Sequence, residues 1–391
     1  MPRTDALAHS RARKVVLVIA TVMLVGGCLL SLGSFAAAGF DWKNLSTTRD
    51  WVQESRTLAP EAEAPHTALV VSESFQSVYF EPAAGDAFEV EYWNSNTRTV
   101  EITEEGGVLT VQSSEKPQIM MFDFPPFQRG ATVVKVPRSF TGTLSVETGD
   151  GNVDAQELTG LGDVSVRTEG GGVDLKKVSS SGMLSVHTER GGVNAQEVEA
   201  AGNMELASST GRVLAYTAKA ADFAASSTGY VQLALVEAAQ VIASSAHDCL
   251  NADRVTAGSI ALRTGSQNIS AGLLVSDDIS IDTTSGRVTA TVVGTEDDYA
   301  VIASSERGAV DAPQGTDGAA KRIAIRTTSG PIGLSFVDEN GFNQGTPPYP
   351  EPQRSTRGVP EAPAAPAAPA PPAAPAAPGT PATPAESEPA A

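Results

Sequence analysis

The sequence predicts an all-β fold: a parallel β-solenoid of about ten coils with an N-terminal β module, preceded by one transmembrane helix and followed by a disordered Pro/Ala-rich tail. Three observations lead there. A short phrase, written LSVHTERGGVNAQEV from Leu184, returns about every twenty residues and places a Thr or Ser at 148, 168, 188, 208, 226, 244, 264, 283, 304 and 327. Within each phrase apolar and polar residues alternate, as in Leu144-x-Val146 and Val153-x-Ala155, so each run has one face for a core and one for solvent. Glycine is abundant, at 36 residues, and aromatics make up 5%, which suits short stacked strands better than a large aromatic core.

The elements follow in order. Residues 1–14 are basic, with Arg11, Arg13 and Lys14 at their end, and residues 15–40 carry no charge. That length exceeds the roughly 20 residues that cross a bilayer, and the cationic flank belongs in the cytoplasm, which sends the rest of the chain outside the cell membrane. Three fates of this segment stay open: an uncleaved single-pass anchor, a signal peptide cleaved near Ala36-Ala37-Ala38, or a lipoprotein signal. Val25-Gly26-Gly27-Cys28 is similar to the lipobox of bacterial lipoproteins, which makes Cys28 a candidate for lipidation. Leu29 and Leu30 depart from the polar residues that usually follow.

Residues 41–65 are polar, carry Pro60 and Pro65, and show neither helix nor strand periodicity beyond one short turn near Trp51, so they read as a linker. Residues 66–140 contain the strand-like runs LVVSESFQSVYF, FEVEYW, TVEITE and VLTVQSS and then the apolar MMFDFPPF at 120–127. They form an N-terminal β module that leads into the repeats and caps them, because an open stack end exposes strand edges.

Residues 141–336 are the solenoid repeats. A unit of this size cannot bury its apolar face alone, whereas stacking places Val on Val and Thr on Thr. A tight turn with Gly151, Gly171, Gly191, Gly211, Gly229, Gly286 or Gly330 joins the two runs of a unit, and glycine there permits the positive φ of a sharp corner. The first outward position of each unit then stacks on its neighbours: Glu147, Arg167 and His187 lie one above another, as do Arg263 and Asp282. Excision of residues 204–221 should remove one coil in register. Residues 337–391 are rich in Pro and Ala and favour polyproline II, with a reach on the order of 150 Å.

Composition also excludes functions. A net charge of −19 speaks against nucleic acid, whose phosphates need clustered cations. The two cysteines, Cys28 and Cys249, make no disulfide framework; Cys249 reads as a filler of an apolar slot. GDGNVD and GGGVD faintly suggest calcium turns, but Asp154 and Asp174 give way to Asn194 and Leu214, so no metal site is assigned. No acid, base and nucleophile converge, and no Trp follows Trp93 to serve as a sugar platform. No catalytic, cofactor or metal residues are therefore expected.

The run VVKVPRSFTGTLSVETGDGNV, the recurring strand, Ser/Thr, Gly, strand units and the closing IRTTSGPIGLSF resemble the bacterial domain-of-unknown-function family of β-strand-repeat putative adhesins, over residues 66–336. The resemblance implies an envelope-anchored cell-surface protein and carries no site residues with it. The expected function is non-enzymatic: a membrane-anchored adhesin or envelope scaffold that touches an envelope, wall or cell-surface component through many weak contacts. The competing readings are a polysaccharide-active β-helix enzyme and a passive structural spacer in an envelope-stress system.

Overall fold

The computed structural model describes residues 21–30, 32–33, 36, 51–59, 65–95, 98–115 and 130–338. MMFDFPPF, the tail from residue 339 and much of the apolar N-terminal segment lie outside them. Residues 21–30, which include Cys28, are helical. Among the described residues no helix is long and apolar enough to cross a membrane. The chain divides into two units, Met1–Thr346 and Pro347–Ala391, and every described residue belongs to the first.

Seven strands precede the repeats: β1 (Val52–Leu58), β2 (Ala68–Glu73), β3 (Val78–Pro82), β4 (Phe88–Asn94), β5 (Arg98–Glu105), β6 (Val108–Glu115) and β7 (Thr132–Val136). The repeats then lay down strands in pairs. β8 (Thr143–Thr148) and β9 (Val153–Gln156) form one coil; β10 (Val164–Thr168), β11 (Val173–Lys176) and the short β12 (Ser179–Ser180) form the next. β13 (Leu184–Thr188) with β14 (Val193–Ala200) and β15 (Met204–Ser208) with β16 (Val213–Lys219) follow. After β17 (Asp222–Ser227), the long β18 (Val231–Ser245) and β19 (Leu250–Thr264) each run from the second face of one coil into the first face of the next. β20 (Ile269–Val275), β21 (Asp278–Thr283), β22 (Val288–Val293), β23 (Tyr299–Ser305), β24 (Val310–Asp311), β25 (Lys321–Thr327) and β26 (Ile332–Val337) complete the chain.

The predicted parallel solenoid is present, with like residues over like. Val146, Val166, Val186 and Leu206 occupy one row and Val153, Val173, Val193 and Val213 another. A third buried row, Leu158, Val178, Val198, Ala218, Val236 and Val255, closes the coil. Each valine or leucine in these rows contributes roughly 1.5–3 kcal/mol on burial. Met204 pairs with Phe223, so the excision that keeps register runs through Asp222, one residue beyond the 204–221 read from sequence. The coil before it is cleaner, since Leu184 pairs with Met204.

Both ends leave sequence order in the same way. β2 and β3 pair with β8 and β9 on one side and with β6 and β7 on the other, so the first coil of the chain is second in the stack. Likewise β25 and β26 sit between β21/β22 and the terminal β23/β24. The N-terminal end is closed by antiparallel strands, β5 on β6, β4 on β7 and β1 on β4. The linker assigned to residues 41–65 thus contains a strand. The first six residues of β1 are exposed and show no alternation, so the signal lies in its backbone pairing with β4 and not in its side chains.

Beneath this cap lies a buried ion pair. Arg98 Nη2 donates to both oxygens of Glu73, at 2.6 and 2.9 Å, and Thr132 Oγ1 donates to the same carboxylate at 2.6 Å. Losing one partner would leave a buried charge uncompensated, at about 3–5 kcal/mol.

The two principal corners of each coil use opposite solutions. At the first, glycine is needed for space: a Cβ on Gly171 would overlap the Gly151 carbonyl oxygen, and Gly191 and Gly211 repeat the relation one coil on. None of these glycines has a positive φ, contrary to the sequence reading. Positive φ falls at the second corner, on Glu157 (54°), Lys177 (54°), Glu197 (53°), Thr217 (57°), Leu235 (56°), Arg254 (52°) and Leu273 (54°), none of them glycine. The stacked backbone holds them there, since Glu157 N–H donates to Lys176 O and Lys177 N–H to Gln196 O, each at 2.9 Å.

Candidate functional site

The repeated Thr and Ser face inward. Thr148, Thr168, Thr188, Ser208, Ser227, Ser245, Thr264, Thr283 and Thr327 are buried in one ladder at the end of the first strand of each coil. Thr188 Oγ1 accepts from Gly191 N–H at 2.9 Å and donates to Gly171 O at 3.0 Å; Ser208 does the same with Gly211 and Gly191, at 2.8 and 2.7 Å. The hydroxyl therefore satisfies the glycine corner of its own coil and ties it to the previous one. At the pairs 226–227, 244–245 and 304–305 the register chooses the second serine, since Ser208 pairs with Ser227, Ser227 with Ser245 and Ser305 with Thr327, and not the 226, 244 and 304 of the sequence alignment. These hydroxyls are structural and offer no surface.

The surface is made by the intervening columns. On the first face Arg167 lies in register between Glu147 and His187, as expected. Further along, Asp282 lies between Arg263 and Arg326, and Arg263 Nε stands 3.9 Å from its carboxylate. An open cleft of about 480 Å³ lies over this column, lined by Arg263, Asp282, Thr284, Glu306, Arg326 and Thr328 among others. Two guanidinium groups flank one carboxylate, with hydroxyls between, so the cleft offers charge-assisted hydrogen bonds.

On the second face Asp174 lies in register between Asp154 and Asn194, and Leu214 follows. Asn194 Nδ2 donates to Asp174 Oδ1 at 3.2 Å and Gln156 Nε2 to Asp154 Oδ1 at 2.9 Å. Desolvation between layers pushes the Asp174 carboxyl above its ordinary value; the Asn194 hydrogen bond opposes this and the Asp154 charge adds to it. Among the described residues no group of three or more His, Cys, Asp and Glu is placed to hold a metal ion.

The two cysteines are far less alike than their count suggests. Cys28 is exposed on its short helix. Cys249 is half-buried at a corner, because Leu250 takes the core slot that the sequence reading gave to the cysteine.

Residues 66–335 match the model of the family described as Toastrack DUF4097. No curated protein matches the chain. One solved structure, "a putative cell adhesion protein" from Clostridium sporogenes ATCC 15579, is 9% identical, with 74% of this chain and 100% of that chain covered and a TM-score of 0.21.

Proposed function

The chain belongs to the Toastrack DUF4097 family, and from that premise we propose that it is a non-enzymatic surface protein, anchored by residues 15–40 with its bulk outside the cell membrane, that acts as an adhesin or scaffold by repeated contact. The observation that carries the reading is the register of the outward columns. Side chains such as Glu147, Arg167 and His187 repeat once per layer on a backbone that cannot slip without turning its core outward. A partner that meets one layer meets the next at a fixed spacing, and each weak contact raises the effective concentration of the following one. The partner is an envelope, wall or cell-surface component.

The apolar stretch with Arg11, Arg13 and Lys14 before it supports the topology. Protease added to intact cells is expected to remove the repeats; full protection would contradict the outside placement. Fatty-acid labelling that vanishes in Cys28→Ala would assign the anchor to lipid, and labelling of neither chain would leave the anchor to the apolar segment itself. For contact, the full chain mixed with envelope extract is expected to be retained on sedimented wall material without releasing soluble sugar from it. Release of sugar would favour the enzyme reading.

A further inference from the structure

Tryptophan is absent beyond Trp93, yet the second face carries an aromatic platform made of tyrosine. Leu214 and Ala234 occupy outward positions of β16 and β18, but they are 7% and 1% exposed. Tyr216, in register with Ala234, explains this. Its hydroxyl donates to Gln232 Oε1 at 3.0 Å, and Gln232 lies in register with Leu214, so the ring runs along the sheet surface beside both apolar side chains. Tyr230 approaches from the corner on the other side and donates to the same Gln232 oxygen at 3.2 Å. Asn251 Nδ2 donates to Tyr230 Oη at 2.7 Å and fixes that ring in turn. Burial pushes both phenols above their ordinary value, so both remain protonated donors.

Two half-buried rings thus lie head to head, pinned by two planar amides. Among the described residues neither Gln232 Nε2 nor Asn251 Oδ1 has a protein partner. The column they belong to continues in register through Ser270 and Thr289 in one direction and through Asn194, Asp174 and Asp154 in the other. Its layers are about 4.8 Å apart, close to the length of one pyranose unit in an extended chain.

We propose that Tyr216, Tyr230, Gln232 and Asn251 form a binding site for a linear, uncharged glycan that runs along the stack over the second face. The proposal rests on the contact reading and names its ligand class. The apolar C–H face of a pyranose stacks on the phenol rings, as other flat apolar groups do. Free amide donors and acceptors beside the rings take the equatorial hydroxyls that such a ligand presents at its edge. The net charge of −19 and the carboxylates Asp154 and Asp174 in the same column repel a polyanion, which selects an uncharged chain.

The test is calorimetric titration of the full chain with chitohexaose and cellohexaose, their disaccharides, and hexagalacturonate as the anionic comparator. At least one neutral hexasaccharide is expected to bind, about tenfold or more tighter than its disaccharide, with hexagalacturonate far weaker. Tyr216→Ala and Tyr230→Ala should each weaken the complex about tenfold, the scale of a lost stacking anchor. Gln232→Ala should weaken it at an unchanged melting temperature, which guards against a folding effect. Tyr230→Phe keeps the ring and should retain most of the affinity.

Absence of binding to both neutral hexasaccharides, unchanged affinity in the two alanine variants, or preference for hexagalacturonate would overturn the site. If the wild-type chain is retained on wall material and the double alanine variant is retained equally, the glycan site fails while the contact reading survives. If the wild-type chain is not retained at all, the contact reading fails.

Discussion

The two corners of a coil do the same geometric work by opposite means. At the Gly191 corner the turn is conformationally ordinary but crowded, because the previous layer's carbonyl occupies the volume of a side chain. At the Glu197 corner there is room for a side chain, and the backbone itself is strained, at φ 53°. The first corner therefore selects glycine in most coils, with Asp248 and Gln267 in its place in two, and leaves a trace in the sequence. The second tolerates Glu, Lys, Thr, Leu and Arg, and its strain of about 1–2 kcal/mol per residue is met by hydrogen bonding between layers. A sequence can record a shortage of space far more plainly than a shortage of conformational freedom.

Substitutions sharpen this contrast. The largest effect is expected for Gly191→Ala, which drives a methyl group into the Gly171 carbonyl; a loss of about 3 kcal/mol or more in urea unfolding is expected, and a loss under 1 kcal/mol would mean that the corner can relax. Thr188→Val keeps the shape but leaves Gly191 N–H without its acceptor, while Gly171 O keeps only the hydroxyl of Thr168, so about 1–3 kcal/mol should be lost. Equal stability of this variant would show that the ladder hydroxyls are incidental. Glu197→Gly acts in the opposite direction: relief of the left-handed strain, offset by glycine's greater chain entropy, should raise stability by up to about 1 kcal/mol. A clear loss there would mean that the Glu197 side chain, and not the backbone, holds the second corner.

Much of the architecture was legible because it rests on period and alternation. The ladder of Thr148, Thr168 and Thr188, the rows of Val146, Val166 and Val186, and the column of Glu147, Arg167 and His187 all lie where twenty-residue spacing puts them. The doubled serines slipped by one because two adjacent hydroxyls look alike in sequence, and only the position of the following corner decides which one is buried. The exchanged order of coils at both ends was not legible, since β2 and β25 carry the same alternation as any other layer. Nor was the pairing of Arg98 with Glu73, two charged residues 25 positions apart in different strands. On the surface, Tyr216 and Tyr230 stand 14 positions apart with no shared motif and become a platform only once Gln232 is brought between them.

Corners that repeat make coils interchangeable, and interchangeable coils are what action by repeated contact requires. The most direct test is to excise one coil, residues 184–203, so that Met204 takes the place of Leu184 over Val164. Thermal unfolding and retention on wall material would be measured side by side for the full and shortened chains. The shortened chain is expected to fold with a modestly lower melting temperature and to show a partial, graded loss of retention. Complete loss of retention in a chain that still folds would contradict action by repeated contact and point to a single discrete site within the excised coil.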